Sequence, residues 1–183
     1  KNPQLDQAGQ RKGWTGYTWH PELFPNPKNF LEWSNRAKVK TSLNLHPASG
    51  IQPFEKIYPE FAKAYGWDTT GGKYIPYRMD EKKWAKVYFE TVLRPMEKSG
   101  VDFWWLDWQQ WKFSKETPGL NNTFWLNYTF TPDMEKQGKR PMLYHRWGGL
   151  GNHRYQIGFS GDTYISWPSL EFQPYFTATA SNV

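Results

Sequence analysis

The chain has 183 residues, 38% apolar and 19% aromatic, which is enough to bury one core and too apolar for a disordered chain. Its net charge of +6 comes from 23 Lys and Arg scattered among 17 acids, with only short runs such as Lys82-Lys83 and Lys139-Arg140, so the charge reads as a solvated surface and not as a stripe for nucleic acid. No cysteine is present, which excludes disulfides, thiolate catalysis and thiolate-held metals, and no apolar run approaches the roughly 20 residues that span a bilayer.

The count of 12 Trp, 11 Tyr and 12 Phe is high. Most of these rings fill the core, but aromatics at this density also suit sugars, whose C–H faces lie on indole while their hydroxyls need polar neighbours. The chain begins with Lys1 and no signal-peptide pattern opens it, which fits a processed or partial chain. Asn121 and Asn127 stand in N-x-Thr sequons, triplets that also occur by chance and matter only in a secretory pathway. The sequence does not fix the compartment, and an extracytoplasmic one, secreted, periplasmic or lysosome-like, is somewhat favoured.

In chain order, a polar opening leads to GWTGYTWHPELFPNP, an ordered loop by its glycines, prolines and rings. Trp14, Tyr17 and Trp19 either line a pocket rim or cover the core. Residues 30–37 suit a short helix, and 38–45 (KVKTSLNL) alternate as a strand that ends near His46, a residue placed to bind a substrate hydroxyl or simply to be satisfied structurally. Residues 53–65 look helical, broken or started by Pro59, with Gly66 as a stop. The clearest helix is 80–98, where Trp84, Val87, Tyr88, Val92 and Met96 recur at three- and four-residue steps, with Asp80 as N-cap, Pro95 bending the end and Gly100 ending it.

Residues 100–111, GVDFWWLDWQQW, follow directly. The nearly continuous run from Val101 to Leu106 suits a strand covered on both faces, and Asp107 falls where it emerges, as a catalytic acid or as a solvated cap. A helix is predicted through 123–130 and 132–137, with Gly138 as a stop, then a strand over 140–146 (RPMLYHR). The glycine-rich WGGLGNHRY matches no phosphate loop. IGFSGDTYISW supplies one more strand and a tight turn with Asp162 at its end, and 166–183 are helical in part, interrupted by Pro168 and Pro174. The fold class is α/β: a parallel sheet of about four strands with their helices, against eight in a closed barrel.

The segments GVDFWWLDWQQW and RWGGLGNHRYQIGFSGDT, followed by WPSLEFQPYFTATASNV, resemble glycoside hydrolase family 31, the α-glucosidase and α-xylosidase family, across essentially the whole chain. The resemblance implies part of a (β/α)8 barrel spanning 1–183, its remainder supplied by chain outside this sequence, including the family's first-strand Asp and a later His. It places the family's W-x-D nucleophile motif on Trp105, Leu106 and Asp107, the sugar-binding arginine on Arg146, and the acid/base of the W-S-G-D motif on Asp162, with Phe159 in place of the usual Trp. The family's W-x-D-M-N-E continues here as Trp108, Gln109 and Gln110, and the stretch between the acids is shorter. Both features resemble branches acting on α-galactosides or α-N-acetylgalactosaminides.

The implied activity is that of an exo-acting retaining α-glycosidase, without cofactor or metal, acting on an oligosaccharide or glycoconjugate. Two carboxyl groups about 5–5.5 Å apart do the chemistry in such enzymes, one ionised to attack the anomeric carbon and one protonated to serve the leaving oxygen. Arg146, His46 and Trp108 would contact the sugar, Trp105 and Phe159 would wall the subsite, and Gly161 would permit the turn that presents Asp162. The alternative is a catalytically silent carbohydrate-binding relative.

Overall fold

A computed structural model of the protein describes residues 15–107, 113–146, 149 and 151–180, with side chains through residue 178. It divides into two compact units, Lys1–Phe103 and Trp104–Val183.

In the first unit, α1 (Pro27–Arg36) starts three residues before the predicted helix, because Asn26 caps it: its side-chain oxygen accepts the Asn29 N–H at 3.1 Å, and Pro27 suits the first turn. Strand β1 (Ser42–Leu45) is shorter than the predicted 38–45. Lys38 takes a left-handed φ of +59° and its N–H donates to the Asn35 carbonyl, so the chain is still turning out of α1 at that point. Asp102 then anchors the start of the strand, accepting the Thr41 N–H at 2.9 Å and the Lys40 ammonium at 2.8 Å.

Helix α2 (Tyr58–Tyr65) opens with Pro59 in its first turn, 53–57 being turns, and Gly66 stops it with a φ of +83°. The long helix is continuous but runs in three parts: α3 (Lys82–Val87), a π-type stretch (Tyr88–Leu93) and α4 (Arg94–Ser99). Asp80 does not cap it; its carboxylate takes Arg78 Nε at 3.1 Å, and Glu81 occupies the cap position. Pro95 has no N–H to give the preceding turn, and the ladder widens ahead of it, with the Arg94 N–H donating to the Phe89 carbonyl five residues back.

The core of this unit is aromatic. Trp84 stacks on Tyr88 at 5.0 Å and meets Phe61 at 5.5 Å. Tyr17 is buried edge-on against Tyr88, their hydroxyls 3.1 Å apart, and Trp19 packs on Phe24 and Phe30. The rings of the opening loop that are described therefore cover the core. Beside them Glu55 is buried, accepting bonds from the hydroxyls of Thr15 and Thr18; burial raises its pKa above the usual carboxylate range.

In the second unit, β2 (Phe103–Leu106, its first residue closing the first unit) runs parallel to β3 (Leu143–Arg146), with Trp104 opposite Leu143, Trp105 opposite Tyr144 and Leu106 opposite His145. Strand β3 in turn runs parallel to β4 (Ile157–Phe159), with Arg146 opposite Phe159. The crossover is α5 (Asn122–Lys136), capped by Asn121, whose side chain accepts the Phe124 N–H at 2.9 Å. Pro132 deletes one donor without splitting the helix, because Leu126, Phe130 and Met134 hold it through tertiary burial. Helix α6 (Trp167–Ala180) has Pro168 in its first turn and continues through Pro174.

The strands are not buried on both faces as the continuous apolar run suggested. Trp104, Leu106, Leu143 and His145 are buried, whereas Trp105, Tyr144, Arg146 and Phe159 on the alternate face are half-buried. Parallel strands alternating with helices make this an α/β fold. No helix among the described residues is long and apolar enough to cross a membrane.

Gly50 sets the turn after β1. Its φ is +65°, and a Cβ there would lie 2.1 Å from the Ile75 carbonyl oxygen, next to the bridge between Ile51 and Ile75. Gly50→Ala is expected to destabilise the protein by about 1–3 kcal/mol, read as a lowered urea midpoint; an unchanged midpoint would contradict this placement.

Candidate active site

Strand alternation puts residues 105 and 107 on the same side as 144 and 146, so Asp107, immediately after β2, faces the end of β3. Arg146 Nε donates to Asp107 Oδ1 at 2.5 Å, and Arg146 Nη2 donates to Asp162 Oδ1 at 2.9 Å. A single planar guanidinium thus holds both carboxylates. Asp162 reaches it from beyond β4 through Gly161, whose φ of +114° is one that other residues rarely adopt.

The two acids sit in different surroundings. The Asp107 side chain is 12% exposed and that of Asp162 is 68% exposed. Burial opposes the charge on Arg146, but the hydrogen bonds and charges of Asp107 and Asp162 outweigh it and hold the guanidinium pKa above its usual value.

The floor is aromatic. Trp105 stacks on Tyr144 at 4.0 Å and meets Phe159 edge-on at 5.0 Å, and the guanidinium carbon lies 5.1 Å from the centre of the Phe159 ring. Tyr144 was not singled out from sequence, although its parity with Arg146 in LYHR was the available signal. His145, Asn152 and Asn127 were also missed: they are buried beneath the site, and the sequence marked Asn127 only as a sequon. In the folded chain Asn127 is fully buried, which removes it as a glycosylation acceptor, and Asn121 is half-buried and caps α5 through its side-chain oxygen.

Of the residues predicted for the site, Asp107, Arg146, Asp162, Trp105 and Phe159 come together in the second unit. His46 lies in the first, buried at the end of β1, where its carbonyl accepts the Ser49 N–H at 3.1 Å to open a short turn. Trp108 lies outside the described residues. Among the described residues no group of three or more His, Asp or Glu side chains is arranged to hold a metal ion.

Carboxylates and an arginine gathered where parallel strands end form the arrangement of a β/α domain that carries its chemistry at the carboxyl end of its sheet. The chain belongs to glycoside hydrolase family 31: residues 4–183 match the family model described as the glycosyl hydrolases family 31 TIM-barrel domain. No curated protein matched the chain. The domain is that of a glycoside hydrolase, and its substrate class is carbohydrate.

Two expectations follow from the geometry. Arg146→Met should cost about 3 kcal/mol, since it strands the largely buried Asp107 charge, whereas Asp162→Ala, which breaks an exposed pair, should cost about 0–1 kcal/mol; equal losses on urea unfolding would contradict the assigned burial. Burial also pushes the His145 pKa below its ordinary 6.5, so the unfolded chain binds this proton more readily than the folded one. The stability His145 contributes is therefore present above about pH 6.5 and lost as pH falls below it. Thermal scans from pH 7.5 to 5 should show this slope weakened in His145→Gln.

Proposed function

We propose that the protein is a retaining, exo-acting α-glycosidase that hydrolyses a terminal α-linked sugar, with Asp107 as the nucleophile and Asp162 as the acid/base. The observation that carries this reading is the pairing of both carboxylates, from two different strand ends, with one guanidinium. It brings two carboxyl groups from different strand ends to one place, in different surroundings, as a mechanism with two distinct carboxyl roles needs. Residues 1–183 are proposed to form part of a (β/α)8 barrel.

In the first step Asp107 attacks the anomeric carbon, the glycosidic bond breaks, and Asp162 in its protonated form gives its proton to the departing oxygen. The Asp107 carboxylate becomes an ester of the sugar. In the second step Asp162, now ionised, takes a proton from water, whose oxygen attacks the same carbon from the face the leaving group vacated, and Asp107 is released. Two inversions give net retention. Arg146 keeps Asp107 aimed through its Nε–H, and its Nη2, which holds Asp162, is suited to serve sugar hydroxyls when substrate enters. The Trp105, Tyr144 and Phe159 rings offer an apolar wall to the C–H face of the sugar. Trp108, Gln109 and Gln110 after the nucleophile would select among α-glucosyl, α-xylosyl, α-galactosyl and α-N-acetylgalactosaminyl groups.

The test is a panel of aryl α-glycosides of those four sugars. Asp107→Asn should abolish turnover of every substrate. Asp162→Ala should lose about 10²–10⁴-fold on poor leaving groups and far less on activated ones, with azide restoring turnover as a glycosyl azide of retained α configuration. Equal fractional loss on all leaving groups without azide rescue would remove Asp162 from the acid/base role. Sugar binding without turnover by the unaltered chain would indicate a silent carbohydrate-binding relative.

A further inference from the structure

Directly beneath Arg146 lies a run of buried amides that no step above uses. Asn152, fully buried in the short turn Asn152–Arg154, directs its side-chain Nδ2 at the Arg146 carbonyl at 3.0 Å and at His145 Nδ1 at 3.0 Å. Both His145 ring nitrogens face carbonyls, Nδ1 that of Arg146 at 3.0 Å and Nε2 that of Tyr155 at 3.2 Å, and a neutral ring has only one N–H to give. In the tautomer protonated at Nε2, the two N–H groups of Asn152 serve the Arg146 carbonyl and the Nδ1 lone pair, one to each; in the other tautomer Asn152 still donates to the Arg146 carbonyl.

The orientation of that amide is itself imposed. Asn127, fully buried on α5, donates its Nδ2 to Asn152 Oδ1 at 3.2 Å, which turns the Asn152 oxygen toward the helix and its nitrogen toward the strand. Asn127 performs this while its own Oδ1 is buried without a hydrogen-bond partner among the described residues. An unsatisfied buried acceptor is costly, and an apolar residue at 127 would remove this one only to leave Asn152 Oδ1 unmet in its place. The net contribution of this asparagine to stability is therefore small, whereas its effect on the direction of Asn152 is not.

We infer that Asn152 and Asn127 are positioning residues: through the Arg146 carbonyl they fix the end of β3, and so the direction in which the guanidinium meets Asp107 and Asp162. Arg146 is the last residue of β3, and Asn152 bonds its carbonyl from the turn that follows, adding a constraint where the strand ends. A guanidinium bonded to carboxylates on two sides tolerates little rotation, because losing alignment at Nε also misdirects Nη2. The kinetic consequence rests on the roles proposed for the acids; the structural consequence does not.

The experiment uses the full chain with Asn127→Leu and Asn152→Ala, and two readouts. The first is hydrogen exchange of the Arg146 Nε–H by nitrogen-edited NMR, identified by its loss in Arg146→Lys. Both variants should speed this exchange by about 10-fold or more, as the bond to Asp107 opens more often. The second is turnover of whichever aryl α-glycoside the unaltered chain cleaves best. There kcat should fall by roughly 10- to 100-fold with KM changed less, as for any sub-ångström to 1 Å misplacement of reacting groups. For Asn127→Leu the thermal midpoint should stay close to that of the parent, a combination that a purely structural residue would not produce. Unchanged exchange, unchanged kcat in an active enzyme, or a large loss of stability in Asn127→Leu would each overturn the inference. If Asn152→Ala does not fold, Asn127→Leu decides alone. If the unaltered chain cleaves none of the glycosides, the glycosidase reading fails, and the exchange measurement still decides this one.

Discussion

The ion pair between Arg146 and Asp107 is the constraint on which the site depends. Asp107 is almost out of water, and a carboxylate there is tolerable only with a cation and a hydrogen bond aimed at it. Arg146 answers that need and, with the other arm of the same fork, holds Asp162. Because the guanidinium is planar and its donors are fixed, satisfying one acid restricts where the other can be. For this to work, β2 and β3 must end in register, and β4 must deliver the chain to Gly161 at the same level. A slip of one residue in β3 would bring His145 to the sheet face where Arg146 now stands and leave Asp107 without a counter-charge.

Alternation on these short strands separates two functions that the sequence runs together. One face is dry: Trp104, Leu106, Leu143 and His145 are buried, and α5, buried through Leu126, Phe130 and Met134, packs against β3. The other carries the charge pair and a trio of rings in mutual contact, Trp105, Tyr144 and Phe159. Phe159 serves twice, as a member of the trio and as the ring beside the guanidinium. A sugar meeting this face would find an apolar wall beside ionic groups, the combination that carbohydrate recognition requires.

The first unit shows the same economy with different parts. Its aromatic core is tied to the opening loop by Tyr17 and by Glu55, whose buried carboxylate is met by threonine hydroxyls and not by a cation. The widened turn ahead of Pro95 lets one helix stay continuous where a regular ladder would have lost a bond and clashed. Both features hold elements in place at the cost of ideal local geometry.

Much of this was legible in the residues themselves. The three- and four-residue spacing from Trp84 to Met96 specified a helix, Gly66 and Gly100 specified where helices stop, and Gly161 before Asp162 specified a turn, because each rests on local backbone sterics that neighbouring residues decide. The W-x-D and S-G-D motifs picked out Asp107 and Asp162 through family resemblance, and residues 4–183 match that family. What the sequence did not decide was every feature that joins residues far apart in the chain. That β2 is covered closely on one face only, that α5 survives Pro132, that Tyr144 lies on Trp105, and that Asn127 aims Asn152 all depend on packing between residues far apart in the chain, 25 positions for Asn127 and Asn152 and 39 for Asp107 and Arg146. Local propensity carries no information about which partner closes such a gap. Only the tertiary structure, which trades one unsatisfied amide or one missing helix bond for many buried contacts, selects it.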